Sequence, residues 1–559
     1  MFRLPVALWA LYALLLVVVV SGRPAHLAKQ VSHFDLNVTE SLGAPDCHER
    51  VIRYVNGVYP APAITVNTGD RLRVTIRNRL ESESISIHFH GVKQTGTPWS
   101  DGTSHISQNA IPPGKDMTLE FHVRDQAGTF LYHAHNAMQE LSIFGALIVQ
   151  DQKEDRKHFK YDGERTLVLS DYWHNSSIAQ EQGLLGTPFK WIGDPQSILT
   201  NGITQFANCS TSGKLSPKAP NGGYAVTTVE KGKTYRFRII NAATLGFFRF
   251  DIPGHKMTVI EADGTLVEPR AIDHLEINAG QRYSVLITAS SPSDKDYWMS
   301  TQAMWRPKSA PNGWSILRYS NSSKESTAPA HGIPPTSLPP KGPEISGWMD
   351  RHLVPLHKVR IPAPTGPTMQ LNFSQINTGP VGANTVRWKI GRQSYVLPNQ
   401  AMLLQHYNGT IKDMDPASKP IYVHKNRVVD ILLQARVGTL NGVCEQHPFH
   451  LHGHSFWDLG GGNGTWNPTM RPDTKHAVIR DTLTVYPSPS AYFETPQPEG
   501  TGCGWRRLRF VADNPGAWML HCHIVAHLVM GMATTFLVAP NDIPPLPANF
   551  PDWMTGGIH

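Results

Sequence analysis

The chain has no run of Lys and Arg, although its formal net charge is +7. No nucleic-acid-binding motif accompanies that charge. It reads as a solvated surface with a weak preference for anionic substrates, and nucleic acid is not an expected partner. Charged residues are sparse, at 17% of 559, while 46 Gly and 44 Pro punctuate the chain. This balance suits a turn-rich, mostly β globular protein of three or four domains, with helices short and few. Long apolar runs are equally scarce. Val6 to Val20 form one, after Arg3 and before the small pair Ser21-Gly22, and no second follows. Residues 1–22 are therefore expected to be a signal peptide; the competing reading, an uncleaved anchor, meets an apolar core short for a span. No stable membrane span is expected, and the destination is a secreted or secretory-pathway compartment.

Cysteine is scarce too, with five in all. One lies in His521-Cys522-His523, followed by His527 and Met532. A thiolate, a histidine five residues on and a methionine five further have the spacing of a blue-copper ligand loop. If the segment is a strand, His521 and His523 point away from the thiolate. One tripeptide would then touch two metal centres and join them covalently. The other four cysteines would pair in an oxidising compartment, in any of three ways. Cys444 and Cys503 share the last third of the chain and are natural partners, which leaves Cys47 with Cys209. Seven Asn-x-Ser/Thr sequons, at Asn37, Asn175, Asn208, Asn321, Asn372, Asn408 and Asn463, predict glycosylation.

The chain also repeats itself. Gly69 to Ile76, Lys233 to Ile240 and Asn426 to Leu433 each alternate as half-buried strands do. His88-Phe89-His90-Gly91 follows the first and His450-Leu451-His452-Gly453 the third; the second has only Phe248-Arg249-Phe250. Each copy closes on a comparable strand, carrying His133 and His135 in the first, His521 to His523 in the third and no ligand in the second. An all-β chain of three homologous β-sandwich domains is predicted, over 33–151, 152–320 and 346–540. A Pro/Ser/Thr-rich linker covers 321–345, and a tail, 541–559, wraps the surface. The middle domain would be a spacer and pocket wall.

Ten histidines fall into four clusters: His88 and His90; His133 and His135; His447, His450 and His452; His521, His523 and His527. A His-x-His strand offers two imidazoles on one face, and several such pairs can enclose a compact copper cluster. His-x-His-Gly, His-x-His, His-Pro-Phe-His-Leu-His-Gly-His and His-Cys-His-Ile-x-x-His-x-x-x-Gly-Met resemble the four signatures of multicopper oxidases. Trp99 to Thr103, Lys190 to Gln196 and Arg509 to Gly516 bring the resemblance closest to ascorbate oxidases and fungal laccase-like enzymes.

The resemblance implies three cupredoxin-like Greek-key domains and about four copper ions. His447, Cys522 and His527, with Met532 axial and a moderate potential, would hold the type 1 ion. His88 and His450 would hold the type 2 ion. His90, His133, His135, His452, His521 and His523 would hold the type 3 pair. It implies single-electron oxidation of a small-molecule reductant and four-electron reduction of dioxygen to water, through Cys522, His521 and His523. Asp101 would hydrogen-bond at the cluster; its plainer reading is an Asp-Gly turn. Cys47 and Cys209 match a family disulfide. Asn109 stands where relatives carry a cysteine bonded to the tail, and Val525 where many carry an acid, so a proton route through that acid cannot operate.

For the donor, the leading expectation is a phenol, oxidised in a laccase-like way to radicals that couple in pigment or secondary-metabolite biosynthesis. L-ascorbate is second and Fe(II) third. Trp173 and Trp388 resemble tryptophans that flank an ascorbate site and could equally be packing residues. Glu445 could take a donor's proton, although a solvated loop glutamate is the simpler reading. A non-catalytic cupredoxin-fold binding protein is the alternative outside enzymes, and the complete ligand set argues against it.

Overall fold

The computed structural model describes residues 31–206, 223–290, 296–306, 310–320, 334–335, 352–379, 383–439, 442, 444–486 and 495–555. The expected signal peptide, Cys209, Asn208, Asn321 and nearly all of the expected linker lie outside them. Among the described residues, no helix is long and apolar enough to cross a membrane.

Six sheets form three cupredoxin-like units. The first unit pairs the sheet of Arg50–Val55, Val31–Gly43, Arg71–Asn78 and Asp116–His122 with that of Ala61–Asn67, Phe144–Gln150, Gly128–Ala134 and Ile87–His90. Leu72, Val74 and Ile76 alternate inward from the first sheet to meet Ile64, Ile87 and Phe130 of the second. The second and third units each set a six-stranded sheet against a five-stranded one. Arg71–Asn78, Thr234–Asn241 and Val428–Arg436, the strands first noticed as repeats, each pair with both a parallel and an antiparallel neighbour.

The tail does more than wrap the surface. Phe550 and Met554 are buried in the first unit's core, beside Ala401 and Leu404. Asn109 secures that seam: its Nδ2 donates to the Met554 carbonyl (3.0 Å), and its Oδ1 accepts from the Ala401 amide (2.8 Å). Hydrogen bonds thus stand where a disulfide was expected to be missing. Cys444 and Cys503 are bonded, with Cα atoms 5.5 Å apart, and Cys47 is also disulfide-bonded. Of the described sequons, Asn175, Asn408 and Asn463 are exposed, and Asn37 and Asn372 are half-buried.

Candidate metal centres

The repeat places equivalent histidines opposite one another. His88 is the strand partner of His133 in the first unit, and His450 of His521 in the third. Alternation along these strands brings eight imidazoles to the seam between the units. His90, His133 and His523 converge there, as do His135, His452 and His521, and His88 with His90 and His450. Nε2 of His88 lies 3.4 Å from Nε2 of His450; His452 and His521 approach to 3.0 Å, and His135 and His521 to 3.5 Å.

The outer nitrogens show why these rings crowd together. Nδ1 of His88 donates to the Asp101 carbonyl (2.7 Å), that of His450 to the Asp481 carbonyl (2.8 Å) and that of His521 to the Cys522 carbonyl (3.0 Å). His452 Nδ1 faces Asp101 Oδ2 at 2.9 Å, and His90 Nε2 faces Asp481 Oδ1 at 3.1 Å. A neutral imidazole that spends its proton outward has only a lone pair to present inward. Burial favours the neutral form. It holds His521 at about 3 and, with the neighbouring imidazoles, drives His90, His135, His450, His452 and His523 well below 6.5. Lone pairs facing lone pairs are repulsive without a cation between them, so this donor set fits copper.

Cys522 faces the other way, as alternation requires. Its Sγ lies 3.8 Å from Nδ1 of His447 and 3.7 Å from Nδ1 of His527. The short helix Val525–Val529 turns His527 back toward the thiol. Gly531, at φ +98°, then reverses the chain; a Cβ there would collide with Ser394 Oγ. The reversal lets the Met532 carbonyl accept from the Cys522 amide (3.1 Å) and buries Met532. Burial pushes the Cys522 thiol far up and the His447 imidazole down to about 3. A thiol so buried ionises only against a cation, which again fits the metal.

Several residues at these centres carried no sequence signal. Asp481 joins Asp101 as a carboxylate that orients imidazoles. Glu140, from the turn Gln139–Leu141, puts Oε2 3.3 Å from His133 Nδ1 and Oε1 3.8 Å from His523 Nδ1. Burial disfavours protonated His133, but Glu140 outweighs it and raises the imidazole. Glu140 also lines a cavity of about 650 Å³ that includes His135 and Val525, so a carboxylate is present there despite the valine. The middle unit is more than a spacer: Arg282 holds Asp481, and Gly280 lies so close that a Cβ would sit 3.0 Å from the rings of His90 and His523.

Asp101 is buried and accepts from Thr103 Oγ1 (2.5 Å) as well as facing His452, so it is more than a turn residue. Near the sulfur centre, the Trp388 ring lies edge-on to His447 at 4.8 Å and tilted against His527 at 4.6 Å. Trp173 belongs to the same core cluster as Trp388, Cys522 and Met532. It is 1% exposed, turned into the core just past the strand Gly163–Tyr172. The half-buried indole beside His527 is Trp191, at 6.0 Å. Glu445 is not a freely solvated loop residue: its Oε2 lies 3.5 Å from His527 Nε2, and burial raises its carboxyl. Trp388, Glu445 and His447 line a shallow depression there with the Cys444–Cys503 bond.

Family models described as multicopper oxidase match residues 37–154, 163–322 and 390–542. An L-ascorbate oxidase of Cucurbita pepo var. melopepo is 36% identical over 91% of this chain and 94% of its own length. Multicopper oxidase aurL2 of Gibberella zeae is 32% identical over 88% of this chain and 86% of its own. The crystal structure of a laccase from Botrytis aclada superimposes with a TM-score of 0.74 at 27% identity, covering 93% of this chain and 90% of that one.

Proposed function

The chain belongs to the multicopper oxidase family, and on that premise we propose that it oxidises a small enediol of the L-ascorbate type with dioxygen as acceptor. His447, Cys522 and His527, backed by Met532, would hold the type 1 copper. His88 and His450 would hold the type 2 ion. His90, His133 and His523, with His135, His452 and His521, would hold the type 3 pair. Bound there, copper supplies reversible one-electron chemistry and, across three ions, the four-electron reduction of dioxygen to two waters.

The protein's own part is wiring, proton handling and donor binding. Cys522 lies between His521 and His523 in the chain, and His521 Nδ1 donates to the Cys522 carbonyl, adding a hydrogen-bonded route to the covalent one. Asp101 orients His452 and holds a hydrogen-bonded proton beside it. Glu140 carries a carboxylate where the 650 Å³ cavity reaches the histidines, a route for dioxygen and protons.

The observation that carries the enediol reading is the pair of indoles, Trp388 and Trp191, on His527. Two indoles beside one imidazole give an aromatic surround suited to a planar ring. Arg306, 3.8 Å from Asp194, adds positive charge felt by both Glu445 and His527, which suits an anionic donor. The relatives named as ascorbate oxidases are also more similar than those named as laccases. This reverses the donor order expected from the sequence. A phenol is the second reading, favoured by Glu445, whose raised carboxyl near His527 can accept a hydroxyl proton as the electron leaves. Oxygen uptake measured side by side with ascorbate, a substituted phenol and Fe(II) tests the choice; a higher kcat/KM for the phenol than for ascorbate would reject the enediol reading. The disulfides and the exposed sequons suit a secretory compartment.

A further inference from the structure

Three residues outside both centres make a cluster that the oxidase chemistry does not use. Glu154 and His158 lie one turn apart on the helix Gln152–His158, which links the first unit to the second. Asp151 caps that helix through the Glu154 amide (3.1 Å). His357 arrives from the segment that leads into the third unit. That segment is laced to the strand Thr265–Ile272: the Glu268 amide donates to the Val354 carbonyl (2.8 Å), and the Leu356 amide to the Leu266 carbonyl (3.0 Å). The backbone therefore fixes where His357 stands.

Nε2 of His158 lies 2.9 Å, and Nε2 of His357 3.0 Å, from the same oxygen, Glu154 Oε1. The rings stand 5.2 Å apart and 73° to one another. The carboxylate's other oxygen is 3.7 Å from Lys157 Nζ, so Oε1 is the one left to the imidazoles. Glu154 and His357 also border a cleft of about 800 Å³ with Asp151 and Asp155.

We propose that Glu154, His158 and His357 form a second kind of metal site, for one borderline divalent cation such as Zn2+ or Cu2+. Two imidazoles and one carboxylate are a common donor set for such ions. Bond lengths near 2.0–2.1 Å would separate tetrahedral donors by about 3.3 Å, so each nitrogen need move only a little further from Glu154 Oε1 than its present 2.9 or 3.0 Å. The fourth position faces the cleft and takes water. The ion would pin the connector between the first two units to the segment entering the third. All three side chains are partly exposed, with His357 at 54%, so an ion can enter without unfolding.

The test is a calorimetric titration of copper-loaded protein with Zn2+ at neutral pH, after weakly held metal is removed. One saturable Zn2+ per chain is expected, with a raised melting temperature. His357→Ala and Glu154→Gln should each weaken binding at least tenfold, leaving tightly held copper and oxygen uptake unchanged. Absence of a saturable site, or a site of equal affinity in both variants, would overturn the proposal and leave the trio as two hydrogen bonds to a carboxylate.

Discussion

Arg282 and Asp481 meet as a buried two-pronged ion pair: Nη1 to Oδ1 and Nη2 to Oδ2 are both 2.6 Å. The arginine comes from the second unit and the aspartate from the third. Arg282 Nε also donates to the Thr129 carbonyl of the first (3.0 Å), so one guanidinium ties all three together. Through Asp481 it fixes His90 and His450, proposed ligands from different units. The ligand-free unit thus sets the geometry of a centre to which it gives no donor.

Removing one partner of a buried ion pair leaves an uncompensated charge, at about 3–5 kcal/mol. Arg282→Met should therefore lower stability by about that amount. It should also reduce copper at the eight-histidine centre more than at Cys522, while Arg282→Lys keeps part of both. Chemical denaturation and paired metal and absorption measurements check this; equal loss at both centres would mean the pair acts on folding alone.

Acid should destabilise the copper-free protein from about pH 6.5 downward. Burial holds His447 and His521 at about 3, and His90, His135, His450, His452, His523 and His527 well below 6.5. Between those values the unfolded chain binds protons that the folded chain refuses, so stability falls as pH falls. Glu261 acts in the same direction. Burial opposes its ionisation, but Arg236 and Arg238 outweigh that and hold it at about 2, so its contribution is present above 4.5 and lost on acidification toward 2. Melting temperatures across pH 7 to 4 should start higher with copper and drop at least as steeply as without it, because bound copper also keeps these imidazoles unprotonated.

Glu140→Gln should slow the oxygen half of the cycle. It keeps the size but removes the charge facing His133 and His523. A fall in kcat of about tenfold or more, with the blue absorption intact and the Cys522 centre more reduced during turnover, is expected. Stopped-flow absorption reads this directly.

Trp388→Ala and Trp191→Ala should raise KM for ascorbate about tenfold while sparing the rate of reoxidation by dioxygen. Steady-state and single-turnover kinetics separate the two effects.

The histidine clusters were legible because His-x-His on a strand fixes two imidazoles to one face, and the repeat supplies that strand twice. The turn of Cys522 away from His521 followed from the same alternation. What stayed hidden was set by contacts across units. Arg282 and Asp481 are 199 residues apart, and nothing in the alternation of either strand announces the other. Glu140 sits in a single turn with no pattern to read. Trp173 and Trp191 share one chain segment, and only its path decides that the first enters the core and the second reaches His527. Glu445 shows the same limit, since its burial depends on packing that the sequence around it does not disclose.

The most direct test of the central claim, that Cys522 joins an electron-accepting copper to an oxygen-reducing cluster, compares the copper-reconstituted protein with Cys522→Ser. About four copper ions per chain, an absorption band at roughly 600 nm and oxygen uptake with ascorbate are expected in the native chain. The variant should lose the band and the uptake while keeping copper at the histidine cluster. Native protein that binds no copper, or a variant that still consumes oxygen at the native rate, would contradict it.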